Sequence, residues 1–388
     1  MQRASLCCAA IFSSIVFVVL SRDAISEESS ARPIASERFH FRHGEKIPLP
    51  VSIFGDKYRL MLDTGCTGCV LDTQFRDRLG AVVKVEVAGT PLGLKNLEMF
   101  AAPDMLVGEK NRVLVRLDGV VACDPISLTD DDSDTWHGVL GMQFLKSRVL
   151  RIHFDDSYAE FLSSASFDRD DGEKLHYKRG VPYVLARISK DGYQSFLIDT
   201  GSDSNVAISS EEFTRLLRKG RIVSTRPQIA STAATEVFVR TGILDSLEVG
   251  SFSFKNVAVE EADNNLMGLQ FLGKFNLEMD FPNQTVFFRP GRRIDQPDRR
   301  DRAGFRVYRV KGKTFVGHVH ADSAASAVGI KQGDEMQSVD AVAAVDISLA
   351  EIHEKLSEPG AKRTLILRRD GVSRKVVLPL ENTPDPFR

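Results

Sequence analysis

The chain has 388 residues, 43% hydrophobic and 27% charged, with 51 basic against 53 acidic side chains and a formal net charge of -2. The length exceeds one ordinary core and predicts two or three domains; the composition is that of a soluble globular protein. The balance of charge excludes a global field for nucleic acid or an acidic membrane surface.

The first thirty residues differ from the rest. Arg3 gives a positive start, Leu6 to Leu20 are apolar except for Ser13 and Ser14, and small residues at Ala24 and Ser26 precede Glu27-Glu28-Ser29-Ser30. That order predicts a secretory signal peptide over residues 1–26 and an exported protein, periplasmic or secreted. The alternative is an uncleaved membrane anchor, although the run is shorter than the ~20 residues of a comfortable spanning helix. Of five cysteines, Cys7 and Cys8 fall inside this segment, leaving Cys66, Cys69 and Cys123. Three thiols cannot complete a disulfide framework, so the cores must hold the fold; a local disulfide stays open.

Beyond the leader the chain repeats itself. Tyr58-Arg-Leu-Met-Leu-Asp63-Thr64-Gly65 and Tyr193-Gln-Ser-Phe-Leu-Ile-Asp199-Thr200-Gly201 are apolar runs ending in Asp-Thr-Gly. Each is followed by a second apolar stretch, Val70-Leu71 or Val206-Ala207-Ile208. Farther on, Val139-Leu140-Gly141 answers to Leu266-Met267-Gly268, and an alternating strand follows each (Val149 to Phe154; Phe275 to Phe281). Asp63 to Gly141 spans 78 positions and Asp199 to Gly268 spans 69, close for a repeat with loop variation. Period-2 alternation and β-branched residues between these anchors predict two mostly β units, 46–163 and 176–290. Two charged stretches punctuate the chain. Ser166 to Lys174 separates the copies, and Gly291 to Arg302 mixes five Arg with three Asp and reads as a solvated linker.

The chemistry of such a repeat follows from its parts. A strand fixes each carboxylate, Gly lets the backbone turn beside it, and the Thr hydroxyl can bond to the partner loop. Two facing loops bring the carboxylates to about 3 Å, where both cannot ionise and one proton is shared. One carboxylate then takes a proton from water while the other donates to a carbonyl oxygen. The scheme asks for no metal or cofactor, and His137, His153, His318 and His320 form no defensible ligand spacing.

On these residues the chain, from about Leu49 to Phe288, resembles the retropepsin-like aspartic peptidases. The resemblance implies two tandem retropepsin-like β-barrel lobes forming a pepsin-like pseudo-dimer, with Asp63 and Asp199 as the catalytic pair acting on a peptide or protein substrate. Thr64 and Thr200 would form the hydroxyl grip, with Gly65, Gly201 and Ser202 in support. Flaps over the cleft are expected at Ala88 to Pro91 and Ala230 to Ala234. Two positions depart from the pattern. Cys66 is a poor hydrogen-bond donor where Ser202 stands in the second copy. Asp203 resembles the second acid of Asp-Thr-Gly-Ala-Asp, which pairs with a basic residue that the sequence does not name.

After the second linker, Ser323-Ala324-Ala325, Gly329-Ile330-Lys331-Gln332-Gly333-Asp334 and the hairpin signal Arg369-Asp370-Gly371 resemble a bacterial PDZ domain, α+β, over residues 304–383. The resemblance implies a C-terminal peptide ligand added to a sheet edge, its carboxylate received near Gly304 and Phe305. Three readings follow: an exported endopeptidase whose PDZ domain selects or regulates substrate; a catalytically inactive peptide-binding scaffold using both grooves; and a homodimer with separate Asp63 and Asp199 sites.

Overall fold

A computed structural model describes residues 37–382 apart from 43, 91–92, 111–112, 116, 124–135 and 232–235. The signal segment 1–26 lies outside the described residues, among which no helix is long and apolar enough to cross a membrane.

In the N-terminal unit the apolar run before Asp63 becomes the strand Asp56–Leu62, whose last residues are buried. It lies parallel to Gly138–Leu140, with Val139 opposite Met61 and Leu140 opposite Leu62. Gly138–Leu140 also runs antiparallel to Cys69–Asp72, so a three-residue strand is inserted between the two arms of the Asp63 loop. The middle unit repeats the plan. Leu266–Met267 lies parallel to Tyr193–Ile198 and antiparallel to Val206–Ser209. A strand flanked on both sides inside a core must be apolar throughout, which is why Val-Leu and Leu-Met recur there. The glycines that follow are forced by space. A Cβ on Gly141 would lie 2.3 Å from the Cys66 carbonyl oxygen, and one on Gly268 2.5 Å from that of Ser204.

A third sheet joins the units. Its strand order is Phe39–His40, Tyr158–Leu162, Val149–His153, Phe275–Asp280, Thr285–Pro290 and Glu173–Lys174. At its centre Val149–His153 pairs antiparallel with Phe275–Asp280, Arg151 facing Glu278. The two units share one hydrophobic core, running from Phe39 to Phe288. Ser166 to Lys174 is built into this sheet: the Ser166 N–H donates to Glu278 at 2.6 Å, and Glu173–Lys174 pairs with Val286 and Thr285.

The C-terminal unit has its own core. Strands Phe305–Val310, Lys313–Val319, Glu335–Val339, Lys362–Arg369 and Val372–Pro379 lie in that order, Phe305–Val310 at the edge, packed by helix Leu349–Leu356. Ser348 and Glu351 close a capping box at the helix start. Asp334 is buried and takes hydrogen bonds from Arg369 and Arg374, tying the Gly329–Asp334 turn to the terminal hairpin.

The stretch Gly291 to Arg302 departs from the expected solvated linker. Asp298 accepts from Asn205 and from the Ala258 N–H, both at 2.8 Å, and pairs with buried Lys274 at 3.1 Å. Arg302 is buried and donates to the Ser357 and Glu381 carbonyls. Its alternating charges are bonding partners for both flanking units, a role composition does not reveal.

Candidate active site

Asp63 and Asp199 come together at the junction of the two units, and each is almost fully buried. Their loops have one geometry. The Asp63 N–H donates to the Leu140 carbonyl at 3.2 Å and that of Asp199 to Met267 at 3.0 Å. The Gly65 N–H reaches the Asp63 carboxylate at 2.7 Å, and the Gly201 N–H reaches Asp199 at 2.9 Å. The threonines cross between units. The Thr64 hydroxyl donates to the Ile198 carbonyl at 2.6 Å and accepts the Thr200 N–H at 3.1 Å. The Thr200 hydroxyl donates to Leu62 at 3.1 Å and accepts the Thr64 N–H at 3.0 Å. Each glycine makes room for the opposite acid. A Cβ on Gly65 would fall 2.6 Å from the Asp199 carboxyl carbon, and one on Gly201 2.3 Å from that of Asp63.

The electrostatics follow from this burial. Loss of water and the adjacent negative charge of Asp199 push the Asp63 carboxyl well above the usual carboxylate range, while the Gly65 N–H and Lys46 pull back. The Asp63 and Asp199 side chains are hydrogen-bonded to each other. One proton held between two dry carboxyls gives an acid and a base side by side.

The two positions after the glycines differ in chemistry. Ser202 is buried, and its hydroxyl accepts the Ser204 N–H at 3.3 Å. Cys66 turns its thiol to the Gly68 carbonyl at 3.6 Å, and burial followed by the nearby Asp63 charge pushes that thiol up. Cys66 and Cys69 are buried free thiols, Cys69 pushed up to about 12 by burial. They pack as small apolar residues. The Cys123 side chain lies outside the described residues.

Lys46 is the functional residue that the sequence did not single out. It is buried, its Nζ donating to the Gly201 carbonyl and lying 3.6 Å from Asp203. Asp203, half-exposed, is held down at about 2, chiefly by Lys46 and also by Arg306 and Arg299. The basic partner of Asp203 therefore comes from the other unit. A signal for it does exist, because Lys46-Ile47-Pro48 and Arg179-Gly180-Val181-Pro182 both place a basic residue and an apolar-proline pair ahead of an Asp strand. The second segment also crosses over, since a Cβ on Gly180 would lie 3.3 Å from the Thr67 side chain.

Both expected flaps fall on hairpins. Val82–Thr90 pairs with Gly93–Phe100, and Ile222–Ser231 with Glu236–Val249. The tips, including Pro91 and 232–234, lie outside the described residues.

In the C-terminal unit Gly304 and Phe305 are among the residues that line a cavity of about 700 Å³ shared with the middle unit. The loop amides are taken by the chain itself, because Asp301 accepts the Ala303 N–H at 3.1 Å and that of Gly304 at 2.7 Å. The Phe305 side chain is buried in the core.

Residues 186–274 match the family model for aspartyl proteases. The middle unit is an aspartic-peptidase-like domain. The match begins in the strand before Tyr193–Ile198 and ends past the Leu269–Leu272 helix, so it takes in Asp199-Thr200-Gly201 and Leu266-Met267-Gly268. A search of curated proteins finds no match.

Proposed function

We propose that the chain is an exported aspartic endopeptidase that hydrolyses peptide bonds with one Asp63/Asp199 dyad. The observation that carries this reading is the pair of buried, mutually hydrogen-bonded carboxyls, held in two equivalent loops whose threonines bond crosswise. A water between the carboxyls loses a proton to the ionised one as it attacks the substrate carbonyl. The protonated carboxyl donates to the carbonyl oxygen, giving a neutral gem-diol. Proton transfer to the amide nitrogen then releases the amine and regenerates the acid. Lys46 braces the Gly201–Asp203 loop from the other unit. The C-terminal unit, read as a PDZ domain, recruits or regulates peptide substrates.

The test is cleavage of an unstructured protein such as casein across pH 3 to 8, with and without pepstatin. General acid–base catalysis is worth roughly 10²–10⁴-fold, so Asp63→Asn and Asp199→Asn are each expected to lose at least that much. A single mutant that keeps about half the activity would point to separate dimeric sites. A chain inert at every pH would favour the inactive scaffold.

A further inference from the structure

Lys46, which braces the Gly201–Asp203 loop, lies two residues from a contact with the C-terminal unit. Helix Leu349–Leu356 of that unit turns Ile352 and Leu356 into its own core. Ala350 and Glu354, one turn apart on another face, meet the rest of the chain. Arg299 donates to the Ala350 carbonyl at 3.1 Å, and Arg293 pairs with Glu354 at 3.4 Å. The Ala350 methyl lies against Gly44, where an added Cβ would stand 3.2 Å from it. Gly44 has φ +76°, a left-handed conformation that glycine adopts readily.

From that contact the dyad is a few bonds away. The Arg42 carbonyl accepts the Glu45 N–H at 3.0 Å, closing a turn around Gly44. Lys46 follows, then Ile47, whose carbonyl accepts the Leu62 N–H at 3.0 Å, one residue before Asp63. The Lys46 side chain donates to the Gly201 carbonyl, and the Gly201 N–H holds the Asp199 carboxylate at 2.9 Å. Charge follows the same route. Glu351 of the helix feels Arg42 in the turn. Asp203, the ion-pair partner of Lys46, also feels Arg306 of the C-terminal unit and Arg299. Two other titratable groups feel the dyad, Cys66 and Tyr183, and they belong to the N-terminal and middle units. The route from the C-terminal unit therefore runs through Lys46 and Asp203.

We propose that helix Leu349–Leu356 is a clamp on the Lys46 turn, so that the C-terminal unit completes the support of the dyad whether or not that unit holds a peptide. Lys46 is then a positioning residue that acts through Gly201, and position 350 must be small because the clamp closes on backbone at Gly44. The consequence for cleavage rests on the peptidase reading above.

The test uses the full-length chain and a short internally quenched peptide, cut from casein by sequence and amidated at its C-terminus. Ala350→Leu and Ala350→Trp push the helix off Gly44 in two steps of size, and circular dichroism checks that each variant is folded. A misplacement of about 1 Å can cost 10²-fold, so kcat should fall roughly 10-fold or more in Ala350→Trp and less in Ala350→Leu, with KM little changed. A rise in KM with kcat unchanged is recruitment of substrate and overturns the clamp. A second readout needs no turnover: the carboxyl titration of the aspartate-labelled chain by carbon-13 NMR, with Asp63 assigned through Asp63→Asn. In Ala350→Trp the Asp63 titration should move to higher pH, as it should in Lys46→Met. The Lys46→Met/Ala350→Trp double variant should move no further than Lys46→Met alone, because both changes act through one contact. If Ala350→Trp does not fold, Ala350→Leu serves in the same comparisons. A folded variant whose titration stays in place, or two shifts that add in full, overturns the proposal. If no peptide is cut but the titration moves as expected, the peptidase reading fails and the clamp stands.

Discussion

At the scale of single residues, the environment of Asp63 opposes its ionisation. Burial and Asp199 raise it, and Lys46 lowers it. The folded chain therefore holds the Asp63 proton above the ~3.9 of an unfolded aspartate. The stability this contributes is full at low pH and is lost as pH rises through the raised value. Activity should have an alkaline limb at that same value, where the shared proton leaves. Lys46→Met removes a charge that favours the anion, so the limb in a pH–rate profile should move to higher pH; a limb that moves down or stays would show that Lys46 does not act on the dyad. Asp63→Asn should lose activity yet melt at a higher temperature than the parent at pH 7, with no such gain at pH 3. Asp63, Asp199 and both threonines were legible because a three-residue motif recurs behind equivalent strands. Lys46 was not singled out, because its partner carbonyl is 155 positions away and the recurrence of a basic residue ahead of an apolar-proline pair at Lys46-Ile47-Pro48 and Arg179-Gly180-Val181-Pro182 does not name that partner.

At the scale of elements, the joint between the units is the antiparallel pair Val149–His153 and Phe275–Asp280. Both strands were legible from alternation, but their pairing was not, because register between segments more than a hundred residues apart leaves no local trace. A polar pair, Arg151 opposite Glu278, lies at its centre. Arg151 donates to Glu278 at 2.7 and 3.0 Å and to Glu160 at 3.3 Å, and Glu278 is 1% exposed. Removing one partner of a buried ion pair costs ~3–5 kcal/mol, whereas an apolar replacement of both is close to neutral. Arg151→Ala should fall near the lower end of that range, because Arg151 is 22% exposed and the Ser166 N–H still serves Glu278. Arg151→Met with Glu278→Leu should recover most of the loss in urea melts. If the double variant is as unstable as the single, the pair does more than satisfy its own charges.

At the scale of the whole molecule, the C-terminal unit and the dyad answer acid in opposite directions. His353 lies between helix and edge strand, and burial, with Arg299 and Arg306 beside it, lowers it to about 3, while Asp203 pulls the other way. An unfolded histidine titrates near ~6.5, so between that value and about 3 the unfolded C-terminal unit binds a proton that the folded one refuses. Stability from His353 is present above ~6.5 and is lost as pH falls, while the dyad is most secure when protonated. Because the C-terminal unit has its own core, calorimetry should show one transition splitting into two on going from pH 7 to pH 4.5, the earlier one belonging to the C-terminal unit. Limited proteolysis at pH 4.5 should then release fragments from beyond Arg302 first. His353→Gln, which keeps a hydrogen-bonding side chain but cannot take up the proton, should flatten the pH dependence of the earlier transition and leave the later one in place. If the two transitions move together in that variant, the contacts made by Arg226, Arg299 and Arg302 across the joint couple the units more strongly than their separate cores divide them.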